Sequence, residues 1–243
     1  MYLLGIDLET SGKEPQMDRI LEFGAVFYDW DKKMPMRLYS QLVDPALDSP
    51  TAPTFEVSEE ITEITGITTD MVAEHGSFEY DGLSTIALMA RDASYIVAHF
   101  GNDFDRLFVD AACQRSNQTP WDRPWIDTSI DIEYPARIKT RNLRHLAAEH
   151  GFLNPFSHRA VFDVLTMFEV MKNYELERII ARSLEPIDYL QAIVSFDQKD
   201  YAKGRGYRWC AEKKLWWRSF KRSDALREKD EAGFLTQYID KPE

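Results

Sequence analysis

Asp7 and Glu9 stand two residues apart in an apolar run, Tyr2 to Leu8, that reads as a buried β-strand. Residues two apart on a strand share a face, so both carboxylates point the same way into an interior. Two like charges roughly 5 Å apart repel by about 3 kcal/mol at an effective dielectric near 20, and burial adds a desolvation cost. A cation must offset that. A hard divalent metal such as Mg²⁺ does so, taking carboxylate oxygens, keeping waters and accepting phosphate oxygens.

Such a metal needs further acids, and two places offer them. Val97-Ala98-His99-Phe100-Gly101-Asn102-Asp103-Phe104-Asp105 runs from apolar strand through a turn into an acidic helix start. An acid there also favours the helix dipole, so Asp105 has a structural reading beside the chemical one. In Ser157-His158-Arg159-Ala160-Val161-Phe162-Asp163, Asp163 lies within an apolar helical run where an unpaired carboxylate is out of place. His158 precedes it by five residues. Positions five apart on a continuous helix sit about 140° apart, which puts His158 at the loop edge if the two serve one centre. A second Asp-x-Glu, Asp131-Ile132-Glu133, follows a short strand in a polar stretch and reads as solvated carboxylates.

Periodicity predicts the scaffold that holds these residues. Strands are expected at 2–8, 20–29 and 37–44, an antiparallel start with a polar turn between the last two. A Pro- and Thr-rich loop, Pro45 to Pro53, leads to helix starts at Ser58 and Thr69 and an amphipathic stretch from Leu83 to Ala90. Strand signal returns at 95–98 and 125–127, with helices expected at 105–115, 142–150 and 158–174. The pattern predicts an α/β fold, a mixed sheet with helices on its faces. Beyond Glu185 a small α+β module is expected: a strand to Phe196, a helix over 199–206, a hairpin, and a closing helix from Ser223 to Ile239.

In order, Asp-x-Glu in the first strand, an acid after a central strand and His-x4-Asp in a late helix resemble the three motifs of the DEDDh branch of the DnaQ-like 3′-5′ exonuclease superfamily. The connecting segments "DRILEFGAVFYDW", "EITGITTDMV", "WIDT" and "NLRHLAAEHG" are similar to that family's as well. The resemblance covers about residues 2–175. It implies a ribonuclease H-like sheet, three antiparallel strands with parallel additions, in an exonuclease domain at 1–180, followed by the module at 187–243. It also implies that Asp7, Glu9, Asp105 and Asp163 bind two divalent ions, Mg²⁺ or Mn²⁺. His158 would then act as general base, a role that suits an imidazole with an ordinary pKa of about 6.5.

The same resemblance places Leu8, Thr10, His99, Phe100 and Asn102 beside the terminal nucleotide. Its second motif departs from the usual His-Asn-x-x-Phe-Asp, since the spacing is longer and Phe100 takes the Asn place. Asn102 compensates, or Phe100 stacks on a base or packs in the core. The substrate expected is nucleic acid, single-stranded DNA or the 3′ end of a duplex, with RNA left open. A binding module with a vestigial site and a ribonuclease-H-like endonuclease are the alternatives.

The net charge of −12 argues superficially against a polyanion partner. Between Lys199 and Lys229, however, eleven Lys and Arg meet four acids, a local excess of +7, so the rest of the chain carries −19. "AKGRGYRWCAEKKLWWRSFKR" interleaves these cations with aromatics, the ingredients of a single-strand platform with Trp216 as a stacking residue. Strand alternation alternatively assigns Trp209 and one of Trp216 or Trp217 to the hairpin's own core. A polymerase or repair partner engaged through this module is a further expectation. Arg137, Lys139, Arg141 and Arg144 form a second phosphate-seeking cluster near the third motif. Cys113 and Cys210 lack any CxxC spacing and read as reduced bystanders. No apolar stretch reaches the roughly 20 residues of a membrane span and no leader segment is readable, so cytoplasmic residence is expected.

Overall fold

Leu3, Gly5, Asp7 and Glu9 face one side of strand β1 (Tyr2–Thr10), and Leu4, Ile6 and Leu8 face the other. Each side meets its own core. The computed structural model describes residues 1–48 and 54–242, so most of the Pro- and Thr-rich loop expected over Pro45–Pro53 lies outside the described residues.

β1 pairs antiparallel with β2 (Ile20–Asp29), which pairs antiparallel with β3 (Met34–Leu42). On its other side β1 pairs in parallel with β4 (Tyr95–Ala98), and β4 with β5 (Trp125–Asp127), giving the order β3-β2-β1-β4-β5. This is the expected mixed sheet. Helices α1 (Glu59–Thr65) and α2 (Thr69–His75) begin where their N-caps Ser58 and Thr68 accept backbone N–H groups. Helices α3 (Glu79–Arg91) and α4 (Asp105–Arg115) cover the face of Leu4, Ile6 and Leu8 through Leu83, Ile86, Phe108 and Val109.

The opposite face carries α5 (Leu143–Glu149), α6 (Ala160–Met171) and α7 (Leu176–Ser183), the last not anticipated from the sequence. Val164 and Phe168 of α6 pack with Leu3, Val26 and Tyr28, and the rings of Tyr28 and Phe168 stack at 4.2 Å. The approach is close because two strand positions lack side chains. A Cβ on Gly24 would lie 2.3 Å from the Ala160 carbonyl carbon, and one on Gly5 would lie 2.4 Å from the Phe168 ring.

The chain divides into two compact units, Met1–Ser183 and Leu184–Glu243. In the second, β6 (Ile187–Ile193) pairs antiparallel with β8 (Leu215–Lys221) and β9 (Leu235–Ile239), and β7 (Arg208–Cys210) completes the order β7-β8-β6-β9. Helix α8 (Lys199–Gly204) and helix α9 (Arg222–Glu231) complete the unit. The expected helix from Ser223 to Ile239 is corrected here: Lys221, not Ser223, is the N-cap, and Gly233 turns the chain with a positive φ of 72°. Leu235 to Ile239 then fills the open edge of β6, where Leu, Thr, Tyr and Ile suit a pleated surface. Trp209 is also corrected, being 51% exposed; Tyr207 and Phe220 form the core of this unit with Leu190. Among the described residues no helix is long and apolar enough to cross a membrane.

Candidate metal and catalytic centre

The end of β1 delivers the first two acids. Asp7 is opposite Gly24 in the β1–β2 register and Glu9 is opposite Glu22, after which the pairing slips between Glu9 and Thr10. Helix α6, seated over Gly5 and Gly24, brings Asp163 onto the same face. The third acid comes from the other side of the sheet, since Asp105 is the first residue of α4, directly beyond β4. Ligand atoms of Glu9, His158 and Asp163 all lie within 4.8 Å of one another.

Electrostatics describes one cluster. Burial drives the Asp7 carboxyl well above its usual range, reinforced by Asp105, Glu9 and Asp163. Burial also pushes Glu9 up to about 8, helped by Asp163, Glu22 and Asp105 and opposed by Arg159. Asp105 is pushed up to about 8, again chiefly by burial. Burial raises Asp163 too, opposed by the His158 backbone N–H and Asn154 Nδ2, each of which its carboxylate accepts at 2.8 Å, and by the positive charge of Arg144. Asp105 Oδ1 is buried without a hydrogen-bond partner. Four acids that resist ionisation together, one with an unused oxygen, are a donor set of hard oxygens suited to a divalent cation.

The helix expected over 158–174 begins only at Ala160, so His158 precedes α6. Its φ of 64° is in the left-handed region, so the backbone turns there and the exposed side chain stands at the loop edge of the acids.

The second-motif residues divide. His99 is occupied internally: Nδ1 lies 2.8 Å from Thr128 Oγ1 and Nε2 2.5 Å from the Arg141 carbonyl. Phe100 does not pack in the core; it is 45% exposed with a φ of 62°, its ring edge-on to His99 at 4.8 Å. Asp127 accepts the backbone N–H groups of Phe100 and Asn102 at 3.0 and 3.1 Å and so holds this loop. Thr10 is buried and donates its hydroxyl to the Gly12 carbonyl at 2.6 Å; Leu8 is core. Of the basic cluster, Arg137 lies 3.6 Å from Glu149 and Arg141 sits over the Tyr134 ring. Trp216 belongs to the second unit and lies half-buried there.

Asp131 is not solvated as expected. It is 1% exposed and accepts the Asp127 backbone N–H at 2.8 Å, a structural acid that steadies the loop anchor. Sequence reading also missed Glu22, fully buried beside Glu9, and Asp127. The signal for Glu22 was present in retrospect: a carboxylate inside the apolar run Ile20-Leu21-Glu22-Phe23 is as misplaced as Asp7 in β1.

Comparison with known proteins adds a family. Residues 4–171 match the model of the family described as RNase_T, Exonuclease. The DNA polymerase III PolC-type of Thermotoga maritima is 30% identical over 194 residues, covering 76% of this chain and 13% of that protein. That of Ureaplasma parvum is 27% identical over 172 residues, covering 69% and 11%. The chain thus spans a small part of these relatives. Among solved structures, zinc-bound Escherichia coli ExoI in complex with single-stranded DNA superposes with a TM-score of 0.64 at 18% identity, covering 84% of this chain and 50% of that one. The nuclease domain of 3′hExo, a DEDDh family member bound to rAMP, gives 0.56 at 19% identity, covering 71% and 90%. At these identities the two structures speak for the fold.

Proposed function

The chain belongs to the RNase_T exonuclease family, and we propose that it shortens nucleic acid stepwise from the 3′ end, single-stranded DNA foremost, releasing nucleoside 5′-monophosphates. The observation that carries this reading is the set of four acids from β1, α4 and α6 whose carboxyls are all raised, with His158 at their edge. Asp7, Glu9, Asp105 and Asp163 hold two Mg²⁺ or Mn²⁺ ions in this reading. Such ions, when bound, polarise a phosphodiester and stabilise the charge developing on its oxygens. His158 takes the proton of the attacking water, and its exposed position leaves it free to approach the substrate. Asp163 orients that residue through the His158 backbone N–H. The exposed Phe100 ring offers a stacking surface for the terminal base, and Arg144 lends positive charge beside Asp163.

DNA is favoured by the PolC-type relatives, and the rAMP bound to 3′hExo supports an RNA substrate as the second reading. A polymerase or repair partner for this chain fits the same relatives. Purified protein with Mg²⁺ or Mn²⁺ should shorten a 5′-labelled single strand stepwise, and His158→Ala should nearly abolish this. Internal cleavage of a circular strand, or undiminished activity in that variant, would overturn the reading. Matched DNA and RNA strands digested side by side decide between the two substrates.

A further inference from the structure

The aromatic residues of the second unit divide into two groups. Tyr207 and Phe220 fill its core, whereas Phe196 is 77% and Trp209 51% exposed. The exposed pair, with Trp216, Lys199 and Lys214, lines a cleft of about 590 Å³ beside the C-terminal end of β6. Trp209 and Trp216 are register partners in the β7–β8 hairpin with rings 5.6 Å apart, and Lys199 Nζ sits 3.6 Å over the Phe196 ring. No Asp or Glu lines the cleft. Among the described residues neither Lys199 nor Lys214 is ion-paired.

Exposed aromatics of this size grouped around a cavity are a feature of binding surfaces. The choice of occupant follows from charge. A purely apolar partner leaves two ammonium groups desolvated and unpaired, which is costly. A single-stranded nucleic acid places bases on the rings and phosphates on the ammonium groups, so both ingredients are used. It also answers a difficulty of the first unit, where four clustered acids repel the polyanion on which they would act. We propose that this cleft is a second nucleic-acid site, a stacking clamp that holds single strand on the second unit. It rests on the nuclease reading only for the identity of the ligand.

The test uses the full chain and a fluorescent thymidine homopolymer, with EDTA present so that binding is read without hydrolysis. Trp209→Ala should weaken binding roughly tenfold, as expected for loss of one stacked base. Lys199→Ala with Lys214→Ala should lower the slope of log affinity against log salt by about 1.4, or about 0.7 for each phosphate released. Trp209→Phe retains a ring and should bind within about threefold of wild type, which separates loss of stacking from loss of fold. Melting curves of all variants check folding independently.

Wild-type affinity and salt slope in both the tryptophan and the lysine variants would overturn the clamp. Displacement of the strand by an acidic peptide more effectively than by unlabelled homopolymer would also overturn it, identifying a protein tail as the occupant. The two readings fail separately. A protein that binds strand through Trp209 but never shortens it with Mg²⁺ retains the clamp and loses the exonuclease; degradation of strand by variants that bind like wild type does the reverse.

Discussion

Arg159 grips Glu22 across 137 residues of chain, with Nη2 2.9 Å from Oε1 and Nε 3.1 Å from Oε2. The Ala160 backbone N–H adds a third contact to Oε2 at 3.1 Å, and Ser40 donates its hydroxyl to Oε1 at 3.1 Å. Glu22 and Glu9 are register partners on β2 and β1, so two buried acids lie side by side with different fates. Glu22 has its cation inside the protein; Glu9 has only the edge of that cation's field. Because Arg159 follows His158 and is the N-cap residue of α6, the ion pair fixes where the helix begins and where the histidine turns.

Glu22→Gln keeps the shape and removes the charge. Leaving one partner of a buried pair uncompensated costs about 3–5 kcal/mol, and the partial exposure of Arg159 brings this down to about 2 kcal/mol. A lowered denaturant midpoint is expected, together with a loss of activity larger than the loss of metal affinity, since His158 and not the acids is displaced. A wild-type midpoint would remove Glu22 from this role.

Metal-free protein should lose stability as pH rises. Glu9 and Asp105 have folded-state values of about 8 against ordinary values of 4.5 and 3.8. A carboxyl raised on folding contributes stability that is fully present below its unfolded value and is lost as pH climbs through the folded one. Melting temperature in EDTA should therefore decline between about pH 4 and pH 8. Mg²⁺ or Mn²⁺ should raise it, most at the alkaline end, where the acids are ionised. A metal-insensitive melting curve across this range would contradict the site.

Asp105→Asn should have two effects of opposite sign. Removing a buried charge with an unpartnered oxygen relieves repulsion on Asp7, so the metal-free protein melts higher near pH 8 than wild type. The increment on adding Mg²⁺ shrinks or vanishes if Asp105 is one of the proposed ligands. Differential scanning calorimetry with and without the ion reads both, and an unchanged increment would exclude Asp105 from the ligand set.

Gly24→Ala should loosen the seating of α6. The added methyl meets backbone atoms of Ala160 and Val161, which cannot rotate away as a side-chain end could. Overpacking of this kind costs about 1–3 kcal/mol. The same shift carries Asp163 and His158 away from Asp7 and Glu9, so urea midpoint and hydrolysis rate should fall together.

How much of this was legible in the sequence depended on distance along the chain. Asp7 and Glu9 stand out because period-two alternation places them on one face, Asp105 because it follows an apolar strand and turn, and Asp163 because it lies within an apolar helical run. Glu22 was overlooked because its reason, Arg159, is remote in sequence. Asp127 and Asp131 look like ordinary loop acids until the backbone N–H groups they serve are seen to converge. The helix expected through Ile239 shows a tertiary override: Gly233 permits the turn, and the open edge of β6 recruits Leu235 to Ile239 as a strand. Trp209 stays exposed although its register partner Trp216 packs against the core of that unit, because β7 is a strand of three residues at the edge of the sheet.

The seating of α6 over Gly5 and Gly24 also orders events in time. Asp7 and Glu9 lie at one end of the first unit's chain and His158 and Asp163 near the other, so the proposed centre is assembled by a long-range contact, which forms slowly relative to local helices. Until that helix docks, the early acids are on an uncovered strand, hydrated and without reason to hold an ion tightly. In the proposed reading, ion uptake during refolding follows that docking, and a stopped-flow metal signal should lag behind the recovery of helical signal.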